Sequence, residues 1–405
     1  IADLSQDLPE DAAAMASSPG ARAVIDVASN DPFIRAAIVL ERGAVAAKYI
    51  REDVDPDAPF QVWSTTKSWT SLLVGIMVDD ELLSVDETLG EIFADDGSAW
   101  DDVADDETIA FRKAVTIEEM LTMSSGLITP LFLLDEGLAT EEGFEDFLNN
   151  GDGGGSSLSD SLADPDIGKK GEFSYLAVNN ILSYVVKERT GRTPRQYLAE
   201  NVMVHLGIAE NEYNWLQNTD GVEFAYHGLE LTPLQMAKFG QLYLQGGFGR
   251  PKSNITQHRR LISQKWIDAT FSERSSDSES GYGYGYLFWN VGTSYCAFGL
   301  FGENICIDRR LERVVVQQRD PDYGNILQGE FFIGPVALNQ TLSFDALSED
   351  VSYMNLSAAR TKVFNSIRTT PTIAAVPFLL LGWSMLKLSA VLYGRRNRLS
   401  YDAIR

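Results

Sequence analysis

Basic residues, histidine and cysteine are all scarce in this chain, and each scarcity closes off a class of function. Across 405 residues, 33 Lys and Arg face 58 Asp and Glu, for a formal net charge of −25. Such a surface repels phosphate backbones and anionic headgroups, so no nucleic-acid partner is expected. The acidity names no substrate and reads as an adaptation for solubility. The three histidines, His205, His227 and His258, lack HExxH or similar spacing, so neither a protein-built zinc site nor any other cofactor is expected. Cys296 and Cys306 are too few for a disulfide scaffold and form no CxxC pair. No GxSxG elbow occurs either.

What is present suits a globular enzyme. Hydrophobic residues make up 44% and charged residues 22%, enough apolar material for a real core. The length allows one large core or two domains. The chain opens on Ile1 without a signal-peptide pattern; such a leader is removed on export, so this decides nothing about the compartment.

Residues 1–30 are acidic and Ala-rich, and predict an arm plus a short helix. Ile34–Ile50 carries two β-type runs around Glu41-Arg42-Gly43, a hairpin signal. From Ser64 to Leu83, Trp69, Leu72, Leu73, Ile76 and Met77 recur at helical spacing and predict a buried helix. The acidic run Ala94–Glu107 lacks the alternating ligands and fixed Gly of an EF-hand loop and reads as a solvated loop. Asn149–Gly171 reads as a long mobile loop. Helices follow at Asn179–Arg189, where Asn179 is placed as a cap, and at Pro233–Leu244, which Thr232 is placed to cap. Strands are predicted at Tyr284–Asn290, Ser294–Phe298, Asn304–Ile307 and Arg313–Gln318, and a further helix at about Leu347–Ile367. Strands from both ends with helices between them predict an α+β domain, one antiparallel sheet carrying a helical insertion at about 80–270.

Ile373–Tyr393 is 21 residues long with a single charge, Lys387, and has the length of a transmembrane helix. Arg395, Arg396 and Arg398 follow, so the tail 394–405 is expected on the cytoplasmic, matrix or stromal side and the large domain on the extracytoplasmic or lumenal one. Sequons at Asn254, Asn339 and Asn355 are compatible with glycosylation there. Cys296 and Cys306 lie on consecutive predicted strands; their placement fits a cross-strand disulfide in an oxidising compartment and equally two core thiols.

The chemistry centres on Ser64-Thr65-Thr66-Lys67, an S-x-x-K pattern. On a helix, positions i and i+3 share a face, so the Lys amine reaches the Ser hydroxyl. A buried Lys loses its proton readily and can serve as base. Alone the pattern is weak: Ser384-Met385-Leu386-Lys387 also fits, inside the apolar tail.

Context separates the two. FQVWSTTKSWTSLLVGIMVDDELLSVDETLGEIF resembles the nucleophile region of β-lactamase-related serine hydrolases: class C β-lactamases, D,D-peptidases, family VIII esterases and 6-aminohexanoate-dimer hydrolases. The resemblance continues through Val115–Leu127, through Gly171–Gly191 with Tyr175 at the place of the family's tyrosine, through Gly228–Gly247, and into Ala297–Asp308 at the place of the third motif. It implies a β-lactamase/transpeptidase-like fold over about 31–370. It also implies a Ser64 nucleophile, Lys67 and Tyr175 as the proton-transfer pair, and an oxyanion hole from the amides of Ser64 and of a residue in Phe298–Leu300. Gly299 and Gly302 would let that strand approach substrate closely. Two departures stand out: Ala177 occupies the place of the Asn in the class C tyrosine motif, and Ala297-Phe298-Gly299 replaces Lys-Thr-Gly. Both remove groups that hold a β-lactam, so a small ester, amide or peptide is the expected substrate. Trp63, Trp289 and Tyr286 line an acyl pocket or simply pack. The rival reading is a catalytically silent domain serving as a structural or binding subunit of a membrane assembly.

Overall fold

The structure is a computed structural model that describes residues 2–11, 18–103, 105–128, 157–163, 166–175, 180–249, 260–277 and 281–321. Helix α1 (Pro19–Asn30) opens on Ser18, whose hydroxyl accepts from the Ala21 amide. Strands β1 (Ile34–Glu41) and β2 (Ala44–Ile50) follow. Their connection is Arg42 and Gly43, both at positive φ, the geometry of a two-residue hairpin turn whose twist matches its strands. Residues 275–319 supply β8 (Ser275–Ser276), β9 (Gly283–Tyr284), β10 (Trp289–Val291), β11 (Ser294–Phe298), β12 (Asn304–Asp308) and β13 (Arg313–Arg319). The eight strands form one antiparallel sheet ordered β2-β1-β13-β12-β11-β10-β9-β8. The pairing of β1 with β13 joins the two ends of the described chain, as the distribution of apolar runs predicts.

Between Ile50 and Ser275 helices are the main regular elements among the described residues. Small strand pieces accompany the helices: β3 (Phe60–Gln61), β6 (Asn214–Trp215) and β7 (Leu229–Leu231) form one ribbon, and β4 (Leu127–Ile128) pairs with β5 (Asp166–Ile167). The central helix α2 (Thr66–Asp79) is buried from Thr66 to Met77 on every side, as expected for a helix at the heart of a large domain. Two of its hydroxyls are answered by distant carbonyls: Ser68 Oγ donates to Leu287 O at 2.7 Å and Thr70 Oγ1 to Ala225 O at 2.8 Å, which removes the penalty of burying these two groups bare. Helix α3 (Asn180–Thr190) packs on α2, and α4 (Pro233–Leu244) on β1, β12 and β13. Trp69 of α2 stacks on Phe239 of α4 with centroids 4.2 Å apart. The start of α4 is as predicted: Thr232 and Gln235 form a reciprocal capping box with Pro233 in the first turn.

Four expectations need correction. Tyr284–Asn290 is not one strand: β9 and β10 are separated by a turn in which Gly285 N–H donates to Phe288 O and Leu287 has φ 58°. The apolar residues there mark a buried crossing, which periodicity cannot tell from a strand. Ala94–Glu107 is a solvated loop only in part, because Ala99, Trp100 and Val103 are buried and Asp105 caps the helix Asp106–Lys113. The run 149–171 contains the helix Leu158–Ala163 and β5. The long helix starts with a 3-10 turn at Trp63–Thr65 and ends at Asp79.

Among the described residues no helix is long and apolar enough to cross a membrane. The predicted span 373–393, the helix at about 347–367 and the sequons Asn254, Asn339 and Asn355 lie outside the described residues.

Trp69 is fully buried, so truncation leaves a large cavity under α2. Trp69→Ala is expected to lower unfolding stability by about 3–5 kcal/mol, read by chemical denaturation; a loss below about 1 kcal/mol would show that the α2–α4 contact is not a keystone of the core.

Candidate active site

Ser64 lies in the 3-10 turn that opens α2, where early N–H groups have no helical acceptor. The preceding Trp63 has φ 50°, a left-handed backbone that a bulky residue adopts only when its surroundings impose it. Its ring is fixed edge-on against Phe301 at 5.0 Å. Ser64 is half-buried, whereas Thr65, Thr66 and Lys67 are buried.

One turn on, Lys67 Nζ sits 2.8 Å from Ser64 Oγ and 3.4 Å from Tyr226 O. The faces of Tyr175 and Tyr226 flank the amine, with centroids 4.9 Å and 5.6 Å away. Burial holds the Lys67 pKa down to about 7, because the charged form loses its hydration and gains no carboxylate partner.

Tyr175 arrives from the insertion, just after β5. Its hydroxyl is hydrogen-bonded to Ser64 and to the Trp289 indole, and its ring lies 5.1 Å from that of Trp289. Burial pushes its pKa up to about 12 despite these bonds, so near neutral pH the phenol is protonated and acts as a donor. Ser64 Oγ therefore meets an amine and a phenol together, drawn from an i, i+3 pair and from a segment more than a hundred residues away.

The third contributor is the turn between β11 and β12. β11 packs against the 3-10 turn of Ser64. Phe298 pairs with Asn304 in the ladder, Gly299 N–H donates to Glu303 O at 2.7 Å, and Gly302 N–H to Gly299 O at 3.2 Å. Phe301 N–H donates to Glu303 Oε2 at 3.2 Å. Gly299 N–H is thus spent within the turn, while the N–H groups of Phe298 and Leu300 take no part in these bonds. A Cβ on Gly299 would come within 2.4 Å of Glu303 Oε2 and 2.9 Å of Val62 O, so only glycine lets this turn lie so close to the residues before Ser64. Cys296 and Cys306 face each other across β11 and β12 and are joined by a disulfide, Cα atoms 4.2 Å apart.

Of the three aromatic residues predicted to line a pocket or pack, Trp289 borders Tyr175 and Trp63 borders the turn at Phe301. Tyr286 takes the packing alternative: its hydroxyl donates to Glu118 Oε1 at 2.8 Å and its ring packs on Trp266. Ala177 and Asn179 lie outside the described residues. Three residues at the site escaped the sequence reading. Tyr226 contributes its carbonyl and its ring. His227, stacked on Phe224 at 4.7 Å, is kept neutral by burial and by the nearby Lys67 charge, with its pKa down to about 3. Glu303 braces the turn. Tyr226 and His227 immediately precede Gly228–Gly247, and their position beside that segment was the only available signal. Among the described residues no group of three His, Cys, Asp or Glu is arranged to hold a metal.

Comparison with known proteins agrees with this geometry. A curated relative, the 6-aminohexanoate-dimer hydrolase of Paenarthrobacter ureafaciens, is 22% identical over 303 residues, which is 70% of this chain and 73% of that protein. A penicillin-binding protein homologue from Caulobacter crescentus superposes with a TM-score of 0.54 at 15% identity, covering 80% of this chain and 97% of that one. A D-stereospecific amidohydrolase from Streptomyces gives a TM-score of 0.52 at 13% identity, over 80% and 99% of the two chains. At such identities the two structures show a shared fold. Residues 20–317 match the family described as Beta-lactamase, and the chain accordingly belongs to that family as an enzyme of the serine hydrolase type.

Proposed function

We propose that the chain hydrolyses a small ester, amide or short peptide through an acyl-enzyme on Ser64. The observation that carries this reading is the double approach to one oxygen, Lys67 Nζ at 2.8 Å and the Tyr175 hydroxyl on the same Ser64 side chain. Neutral Lys67 takes the hydroxyl proton as Oγ bonds to the substrate carbonyl carbon. The N–H groups of Ser64 and Leu300 hold the oxyanion. Tyr175, protonated near neutral pH, passes its proton to the leaving alcohol or amine as the old C–O or C–N bond breaks, and recovers one from the Lys67 ammonium, which holds the proton taken from Ser64. Water then attacks the acyl carbon, gives up a proton to the same pair, and frees the acid and Ser64.

The substrate class follows from what surrounds this oxygen. Ala297-Phe298-Gly299 offers no cation for a β-lactam carboxylate, and the near surroundings are aromatic: Trp63, Phe301, Tyr175 and Trp289. An uncharged acyl group suits these walls better than an anionic bicycle.

The segment 373–393 is proposed to anchor the enzyme in a bilayer with the domain on the extracytoplasmic or lumenal side. The Cys296–Cys306 disulfide supports an oxidising compartment, and the arginines after the span support the orientation. Other subunits of a membrane assembly remain candidate partners of this anchor.

Three outcomes are expected. A fluorophosphonate probe labels the protein at Ser64 and leaves Ser64→Ala untouched; equal labelling of both removes the acyl-enzyme reading. With p-nitrophenyl esters, kcat/KM rises with pH through an apparent pKa near 7, because the productive base is neutral Lys67 and its neutral fraction grows as pH climbs past its pKa; a flat profile from about pH 5.5 to 8 contradicts this assignment. Full-length protein expressed in its membrane withstands carbonate extraction, whereas release into the supernatant argues against the anchor.

A further inference from the structure

The turn that carries Leu300, whose N–H is the proposed second oxyanion donor, is built on a carboxyl group. Glu303 is fully buried, and its two ends hold opposite sides of the turn. The main-chain oxygen accepts from Gly299 N–H at 2.7 Å and side-chain Oε2 accepts from Phe301 N–H at 3.2 Å. Leu300 lies between these two anchored amides. From the other side, Gln317 Nε2 donates to Gly302 O at 2.8 Å. Glu303 Oε1 is buried with no hydrogen-bond partner, an expensive arrangement for a carboxylate and a far milder one for a neutral acid.

The charged groups around it do not force ionisation. Arg319, at the end of β13, is the nearest cation, but it is committed to Asp31 at 2.5 Å. Asp320, beside it, is engaged by Arg35 at 2.7 Å and Arg51 at 2.6 Å, and its residual field opposes a second negative charge. Lys67, on α2, has its own charge weakened by burial and is directed at Ser64.

We propose that Glu303 is a positioning residue for the oxyanion turn, which it aims while uncharged and disables when it ionises. The inference rests on the Ser64 reading, since it concerns the field where the acyl-transfer oxyanion forms. A negative charge beneath Leu300 opposes the developing O⁻ in a region of low dielectric. Burial raises the Glu303 pKa to about 8, so this loss falls just above neutral pH. With the rise through Lys67 near 7, the result is a narrow window of activity. The same shift has a signature in stability. A carboxyl whose folded pKa exceeds its unfolded value stabilises the fold fully below the unfolded pKa, and that contribution fades as pH climbs to the folded one.

The test compares wild type, Glu303→Gln, Glu303→Ala and Ser64→Ala, reading the second-order rate of fluorophosphonate labelling against pH and the melting temperature against pH. Gln keeps an acceptor for Phe301 N–H and cannot ionise. The wild-type rate is expected to fall at least tenfold between about pH 7 and 9.5, and this fall is expected to disappear in Glu303→Gln. Glu303→Ala, without the acceptor, should label at least tenfold more slowly than Glu303→Gln at pH 7.5. The melting temperature of Glu303→Gln relative to wild type should climb between about pH 5 and 8 and level off above. Persistence of the alkaline fall in Glu303→Gln overturns the proposal, as does Glu303→Ala labelling at the wild-type rate. If Ser64→Ala labels like wild type, the acyl-enzyme reading fails and takes this inference with it. If Ser64→Ala is silent while the Glu303 variants match wild type, the inference alone fails.

Discussion

Removal of water from one amine is the constraint on which the site depends. In the proposed mechanism Lys67 serves as a base near neutral pH, and its pKa is lowered because its Nζ is enclosed by the rings of Tyr175 and Tyr226 with a carbonyl and a hydroxyl as its polar company. A carboxylate at that spot would keep the amine protonated and close this route to a neutral base. The buried polar residues of α2 fit the same requirement, since Ser68 and Thr70 tie the helix to Leu287 and Ala225 without introducing charge. The helix can then sit in an apolar core with its reactive end half-exposed.

Three distant pieces of chain must meet at that end, and the topology explains how they do. β1 and β13 close the sheet from opposite sides of the insertion, which fixes β11 and its turn beside the opening of α2. The insertion returns Tyr175 from one side and Tyr226 from the other. The Cys296–Cys306 bridge lies in the hairpin that carries the turn, between strands already paired along their length, so it secures the base of the turn while leaving Gly299–Gly302 to be shaped by Glu303 and Gln317.

Much of this was legible in the sequence wherever the determining forces are local. Thr232 with Gln235 and Pro233 specify a helix start within one turn, and the structure places it there. The Ser64–Lys67 pair is readable for the same reason, and Tyr175 through its resemblance to a family motif. What could not be read depends on partners far away in sequence. Tyr226 matters only because Lys67 comes up beneath it, and Glu303 looks like a solvated acid until β13 covers it. Apolar alternation at Tyr284–Asn290 suggested one strand, yet the chain turns at Gly285–Leu287 to bring Leu287 O to Ser68. Trp100 and Val103 were hidden among aspartates, where charge masked two core anchors.

The protonation of Lys67 can be observed without any substrate. In protein carrying isotopically labelled lysine, NMR titration is expected to show the Lys67 side chain changing charge near pH 7, a signal that vanishes in Lys67→Met. If every lysine, Lys67 included, holds its proton to about pH 10, the amine beside Ser64 is an ordinary cation and the mechanism built on it is wrong.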